Sequence, residues 1–400
     1  MPNGPFRHPV SPSADRSTAT RIGILSTYPP KLCGLATFAA ALELELVRAG
    51  NRVDIVRIDD GDPSDEIATF RPKSVIADLV NGDPSSIRRA AAVLSRSEVA
   101  IIQHEYGIFG GVDGDEVLDL MRLLSVPAIV VLHTVPLVPT PHQRAVLASV
   151  VELAERVVVM SPTAHERLVS GYPVDRRKVA LIPHGAAVPV FEHDENEFAN
   201  TARPQLLTWG LLGPGKGIEH VIDALSLFGD LSHRPRYTVA GVTHPKVFAR
   251  DGDEYRMSLI RRSWSVGVAG SVSFDDTYRD VPALTRFVSS ATAIVLPYDS
   301  RDQVTSGVLV DAIAAGRPVI ATAFPHAVEL LASGAGIVVA HEDPIALAEA
   351  IQSLSDRDVL ESMTAEARRL APSLSWKAVA GRYAALADAL ARTEREPVAI

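Results

Sequence analysis

Two α/β domains, each a doubly wound parallel sheet, are what this sequence predicts, and three observations predict them. Short β-branched runs alternate with longer amphipathic stretches from Arg21 to Pro344, which is the pattern of βαβ units. That rhythm breaks once, between Ala186 and Pro204, where prolines and the acidic residues Glu192, Asp194, Glu195 and Glu197 replace periodicity. Finally, each half has a glycine-rich turn after a strand-like run: Tyr28 to Phe38 after Ile22–Leu25, and Trp209 to Gly217 after Gln205–Thr208. Such turns let backbone N–H groups approach an anion, and a helix that begins there adds the positive end of its dipole. One turn per half suggests a phosphorylated ligand held between two domains.

Residues 1–19 are rich in Pro, Ser, Ala and Arg and lack the apolar core of a signal peptide, so they read as a disordered lead-in. The first domain, 20–186, has strand candidates at Ile22–Leu25, Val53–Val56, Val99–Gln103, Ala128–Leu132, Val157–Met160 and Val179–Ile182. Helices fit between them. Ala36–Ala49, for instance, carries Leu42, Leu46 and Ala49 at helical spacing and is stopped by Gly50. Residues 187–204 read as the linker. The second domain, 205–372, restarts with strands at Gln205–Thr208, Tyr237–Ala240, Ser271–Phe274, Ala293–Leu296, Pro318–Ala321 and Gly336–Val339. Only helical patterns follow Pro344. Within 373–400 the apolar face of Trp376, Val379, Tyr383 and Leu386 suggests a helix that packs back across both domains.

Four hundred residues with 47% hydrophobic content suffice for two cores. A net charge of -9 speaks against a nucleic-acid partner, since phosphate backbones select basic faces, and favours a small-molecule ligand. Cys33 is the single cysteine, which excludes an internal disulfide and a multi-cysteine zinc site and fits a reducing cytoplasm. The most apolar stretch, Val126 to Val138, is interrupted by His133 and Pro136 and is too short to span a bilayer. A cytoplasmic protein is expected, with peripheral contact to the inner membrane face left open.

Gly210-x-x-x-x-Gly215-Lys216 resembles a P-loop, but the next residue is Gly217 where magnesium binding needs a hydroxyl. The pattern therefore points to a diphosphate clamp without a metal, made of the backbone amides from Gly210 to Gly213 and the Lys216 ammonium. No His, Asp or Glu spacing suggests a metal site, and no cofactor is expected.

The loop Trp209-Gly-Leu-Leu-Gly-Pro-Gly-Lys-Gly217 is similar to the Gly-Arg-Leu-x-x-x-Lys-Gly loop of family-4 retaining glycosyltransferases, and the first turn, with Gly34, resembles theirs as well. So do Gln103-His104-Glu105-Tyr106-Gly107-Ile108-Phe109-Gly110-Gly111, Leu132-His133-Thr134, Val159-Met160-Ser161 and Ile182-Pro183-His184-Gly185, in the family's order. The resemblance implies the GT-B fold: two Rossmann-like domains facing across a cleft, the first for the acceptor and the second for the nucleotide sugar. It also implies roles for individual residues. Asp311-Ala312-Ile313-Ala314-Ala315-Gly316 matches the end of the family signature, which puts Asp311 at the acidic position that binds the ribose and Gln303 at the one that contacts the sugar. Asp302 stands next to Gln303 as a substitute carboxylate. Ser306 and Gly307 are further donor-binding candidates.

The family's arginine beside the glycine is Leu211 here, and Arg301 is the candidate to replace its charge. By the same resemblance His133 contacts the donor sugar near the reacting carbon and is the catalytic candidate together with Lys216. His104, Glu105 and Tyr106 shape the acceptor side. The implied reaction moves a hexose from a nucleotide diphosphate sugar, GDP-mannose or UDP-glucose, to a hydroxyl acceptor with retention. Two alternatives stay open: a catalytically quiet GT-B module that binds a nucleotide or glycan, and a GT-B epimerase or phosphorylase.

Overall fold

The computed structural model of the chain describes residues 19–31, 33–61, 71–191, 203–229, 233–277 and 279–395. The expected lead-in up to residue 18 and the acidic part of the expected linker lie outside the described residues.

In the first half, β1 (Arg21–Ser26), β2 (Arg52–Asp59), β3 (Val75–Val80), β4 (Val99–His104), β5 (Ala128–Leu132), β6 (Arg156–Val159) and β7 (Val179–Leu181) form a sheet in the order β3-β2-β1-β4-β5-β6-β7. In the second, β8 (Gln205–Trp209), β9 (Arg236–Ala240), β10 (Val272–Asp275), β11 (Ala293–Leu296), β12 (Val319–Thr322) and β13 (Gly336–Val339) follow the order β10-β9-β8-β11-β12-β13. Every pairing in both sheets is parallel. Central strands such as β4, β5 and β11 are buried along their whole length because helices cover both faces. Strand order reverses beside β1 and again beside β8, and each reversal opens a crevice at the carboxyl ends of the strands, where doubly wound sheets bind ligands. Both glycine-rich turns lie at these reversals.

The edge strand β3 is absent from the sequence reading. Its Ile76 and Val80 are exposed, and Asp78 interrupts the apolar run to pair with Arg57 at 2.9 Å, so neither a buried run nor a clean alternation marks it. Packing across both domains, expected of one terminal helix, is divided between two. Helix Arg357–Leu374 sets Ala367 and Leu374 into the second core. Helix Trp376–Arg395 packs Val379, Tyr383 and Leu390 against Ile22, Ile24 and Leu42 of the first. The chain crosses between them at Ser375, beside the other crossing at Ala186, whose N–H donates to the Leu374 carbonyl at 2.8 Å.

Candidate active site

The second-domain wall is built on the turn after β8. Gly217, at φ 63°, caps helix Ile218–Ser226, and a Cβ there would lie 1.8 Å from the Pro297 carbonyl oxygen. Only glycine fits, so the missing P-loop hydroxyl has a steric cause. The turn is held by Asp299 N–H donating to the Gly215 carbonyl at 3.0 Å and by Lys216 N–H donating to that of Gly213 at 3.2 Å. Gly210, at φ 125°, lets the chain leave β8. The Lys216 ammonium lies 4.6 Å from the centre of the Tyr298 ring, and burial lowers its pKa. Among the described residues no carboxylate pairs with it. A desolvated ammonium without a counter-ion is a prepared anion site.

Tyr298 in turn bonds the side chain of Ser306. Ser306 is the N-cap of helix Gly307–Ala314: its hydroxyl accepts from Leu309 N–H at 3.2 Å, and its own N–H donates to His326 Nδ1 at 2.9 Å. Ser306 therefore orients the helix end. A Cβ on Gly307 would lie 3.0 Å from His184 Nε2, which brings the crossing segment of the first domain onto that helix end. One turn further, Asp311 has no hydrogen-bond partner among the described residues, and burial pushes its carboxyl up to about 7.

The loop 299–306 departs from expectation at two positions. Asp302 is not a free substitute for the missing sugar-binding carboxylate. Its Oδ1 accepts from Arg167, and its Oδ2 accepts from Leu137 N–H at 3.1 Å, both in the first domain. The same Arg167 Nη1 donates to the carbonyls of Val135 and Asp302 at 3.1 Å each. Arg301 turns outward, 70% exposed, toward Glu342 at 3.7 Å. Gln303 donates through Nε2 to the Thr305 carbonyl at 3.0 Å, which leaves its amide oxygen as the acceptor.

In the first domain, Gly34 begins helix Gly34–Arg48 after the Cys33 cap, and a Cβ on it would meet nothing within 4 Å. His133 follows β5, and its N–H donates to the His104 carbonyl at 3.1 Å. Its Nε2 is 2.6 Å from Gln103 Oε1, so Nε2 carries the proton and Nδ1 is left as an acceptor. Burial, with the neighbouring His184 and His104, pushes its pKa down to about 3. His133 is thus a neutral hydrogen-bonding group. His104 is 1% exposed and packs against Tyr106 and Phe109, with burial holding it at about 4. Glu105 accepts from Thr134 Oγ1 and from Tyr106 N–H at 3.0 Å, while Tyr106 donates to the Gln143 carbonyl at 3.3 Å. All three fix the wall between the ends of β4 and β5.

A continuous series of contacts crosses the crevice: Lys216 on Tyr298, Tyr298 on Ser306, Gly307 on His184, His184 on Phe38 at 5.0 Å, and Phe38 on His133 at 5.1 Å. Arg301 stands outside it. Sequence reasoning missed Arg167, and it missed Val304, which is buried in the first domain's core although it belongs to the second domain's loop. It also missed that Glu219, His220 and Asp299 bring ligand atoms within 4.8 Å of one another. There Asp299 Oδ1 faces His220 Nε2 at 3.3 Å, and Glu219 accepts from Tyr255 at 3.1 Å.

Comparison with known proteins agrees with this geometry. Residues 33–188 match the family model described as glycosyltransferase family 4, and residues 203–357 match that of glycosyl transferases group 1. A D-inositol 3-phosphate glycosyltransferase of Streptosporangium roseum is 27% identical over 303 residues, 69% of this chain and 67% of the relative. That of Geodermatophilus obscurus is 26% identical over 298 residues, 68% of this chain and 64% of the relative. The chain thus matches about two thirds of the length of these relatives. Among solved structures, Anabaena HepE in complex with UDP superposes with a TM-score of 0.72 at 16% identity, covering 92% of this chain and 100% of that one. Sucrose-phosphate synthase from Thermosynechococcus elongatus gives 0.71 at 20% identity, covering 94% and 100%. At such identities the likeness is one of fold.

Proposed function

We propose, for a chain that belongs to the family-4 glycosyltransferases and has their GT-B fold, that it moves a hexose from a nucleoside diphosphate sugar to a hydroxyl of a glycan, lipid or small-molecule acceptor, with retention. The donor is of the GDP-mannose or UDP-glucose kind. The observation that carries the reading is the Lys216 ammonium, desolvated, without a carboxylate partner among the described residues, and set on Tyr298 at the reversal of the second sheet. Charge develops on the leaving diphosphate as the glycosidic bond breaks, and a preorganised cation with nearby helix ends stabilises it. On this reading a leaving-phosphate oxygen takes the acceptor proton on the same face, no protein nucleophile is needed, and neutral His133 accepts from a sugar hydroxyl. The relatives' glycosyl transfer and the UDP bound to HepE support a nucleotide sugar donor.

Nucleoside diphosphate release from GDP- and UDP-sugars, with and without sugar acceptors, tests the reading. A second reading, a nucleotide-binding module without turnover, is favoured by the tethered Asp302 and the amide at Gln303. Nucleotide binding with no release from any donor would establish it, and sugar phosphate made from free phosphate would point to a phosphorylase.

Two results are expected to follow. Activity should survive EDTA, because Gly217 leaves no hydroxyl for magnesium beside Lys216. Strict dependence on a divalent ion would assign one to Glu219, His220 and Asp299 instead. The second concerns Asp311. Its free-state pKa of about 7 means that it is largely protonated below neutrality and ionised above. Ribose hydroxyls donate to the ionised form, so nucleotide affinity should rise from pH 6 to pH 8 with release of a proton. Calorimetry in two buffers of different ionisation enthalpy measures this, and Asp311→Asn should flatten the profile. An unchanged slope in that variant would remove Asp311 from the nucleotide site.

A further inference from the structure

Beyond the ends of β9 and β10 lies a cavity of about 340 Å³ that the clamp does not use. It adjoins the glycine turn: Leu212 N–H donates to the Val242 carbonyl at 2.8 Å, and His244 N–H donates back to the Leu212 carbonyl at 2.8 Å. Lys216 acts electrostatically on His244, so the anion site and the cavity are neighbours. From the reading of the crevice as a nucleoside diphosphate site, on which this rests, we propose that the cavity holds the base and selects guanine.

Three features of the lining support the choice. Phe248, on helix Pro245–Asp251, is 57% exposed at the cavity and offers an aromatic face to a planar ring. Arg256 is 9% exposed and held in place by Nη1 donating to the Gly241 carbonyl at 3.0 Å, and the rest of its guanidinium can meet acceptors. Asp253 and Asp276 add carboxylates. The first accepts from Thr243, and the second has no side-chain partner among the described residues.

Guanine pairs an acceptor edge, O6 and N7, which suits a guanidinium, with adjacent N1–H and N2–H donors that match the two oxygens of one carboxylate. Uracil offers a single N–H between two carbonyl oxygens, which a carboxylate repels. Adenine presents an acceptor at N1, where the carboxylate needs a donor. Asp276 is the carboxylate assigned to the guanine donors, because Thr243 already engages Asp253.

Calorimetry of the full-length protein with GDP, UDP and ADP tests the proposal. GDP should bind at least tenfold tighter than the others. Asp276→Asn should weaken GDP by about tenfold and leave UDP unchanged, as loss of one bidentate base contact does. Phe248→Ala should weaken all three alike. Tighter binding of UDP or ADP would overturn guanine selection while upholding the nucleotide site. GDP preference undiminished in Asp276→Asn would overturn the assigned contact. No binding of any nucleotide by protein that melts cooperatively would overturn the underlying reading of the crevice.

Discussion

Lys216→Ala is expected to lower kcat by roughly 10²-fold or more, the usual consequence of removing one preorganised group that stabilises transition-state charge. In free energy this is about 2.7 kcal/mol or more. The same change should hardly alter the melting temperature. What the resting fold loses is one cation–π contact with Tyr298, worth about 2 kcal/mol at a desolvated site, and this is offset by relief from burying an uncompensated ammonium. Activity and stability should therefore separate, and binding of the free nucleoside diphosphate should weaken along with kcat. Arg301 is the contrasting case. The sequence suggests it as a second cation in place of Leu211, whereas its side chain is 70% exposed and faces Glu342. Ion pairs so exposed contribute about 0–1 kcal/mol. Arg301→Ala should stay within a few-fold of wild type. If it instead falls as far as Lys216→Ala, and Leu211→Arg restores part of the loss, the loop arginine swings in when the donor binds. Wild-type kcat in Lys216→Ala would remove the clamp from the mechanism.

The two-sheet architecture is legible in the sequence because parallel strands buried on both faces are continuous apolar runs. β4, β5 and β11 stand out for that reason, while β3, apolar on an exposed edge, does not. The glycine turns are legible too, since positive φ and close approach restrict the residue type. Gly217 shows the limit of that signal. Sequence alone identifies it as a departure from a P-loop, and only the 1.8 Å approach to the Pro297 carbonyl explains it. Charge states were not legible. Nothing in the spacing of His104, His133 and His184 shows that burial holds all three neutral, or that Asp311 titrates near neutrality. Least legible was the tie between the domains, because Asp302 and Arg167 are 135 positions apart and no motif links them. Asp302 next to Gln303 suggested a spare sugar-binding carboxylate, while in three dimensions both of its oxygens are engaged.

That tie gives the other large expected effect. Arg167 joins the loop that carries Gln303 to the segment that follows His133, through Asp302 and the Val135 carbonyl, and Val304 anchors the same loop in the first domain's core. The loop between the two walls of the crevice is thus positioned by the first domain. Misplacing reacting groups by about 1 Å can cost 10²-fold in rate. Arg167→Ala is therefore expected to lower kcat by roughly 10- to 100-fold, with Arg167→Lys recovering part of it by keeping the ion pair. Stability should change less, because Asp302 is 45% exposed and can be hydrated when its partner is lost. Nucleoside diphosphate affinity should stay near wild type, since the clamp at Lys216 lies wholly in the second domain. The ratio of donor hydrolysis to transfer is the discriminating measurement. A loosened seam admits water to the activated donor, so hydrolysis should gain on transfer in Arg167→Ala and in Asp302→Ala, and no further in the double variant. A fall in activity matched by an equal fall in stability, with the hydrolysis ratio unchanged, would make Arg167 a packing residue rather than a positioning one.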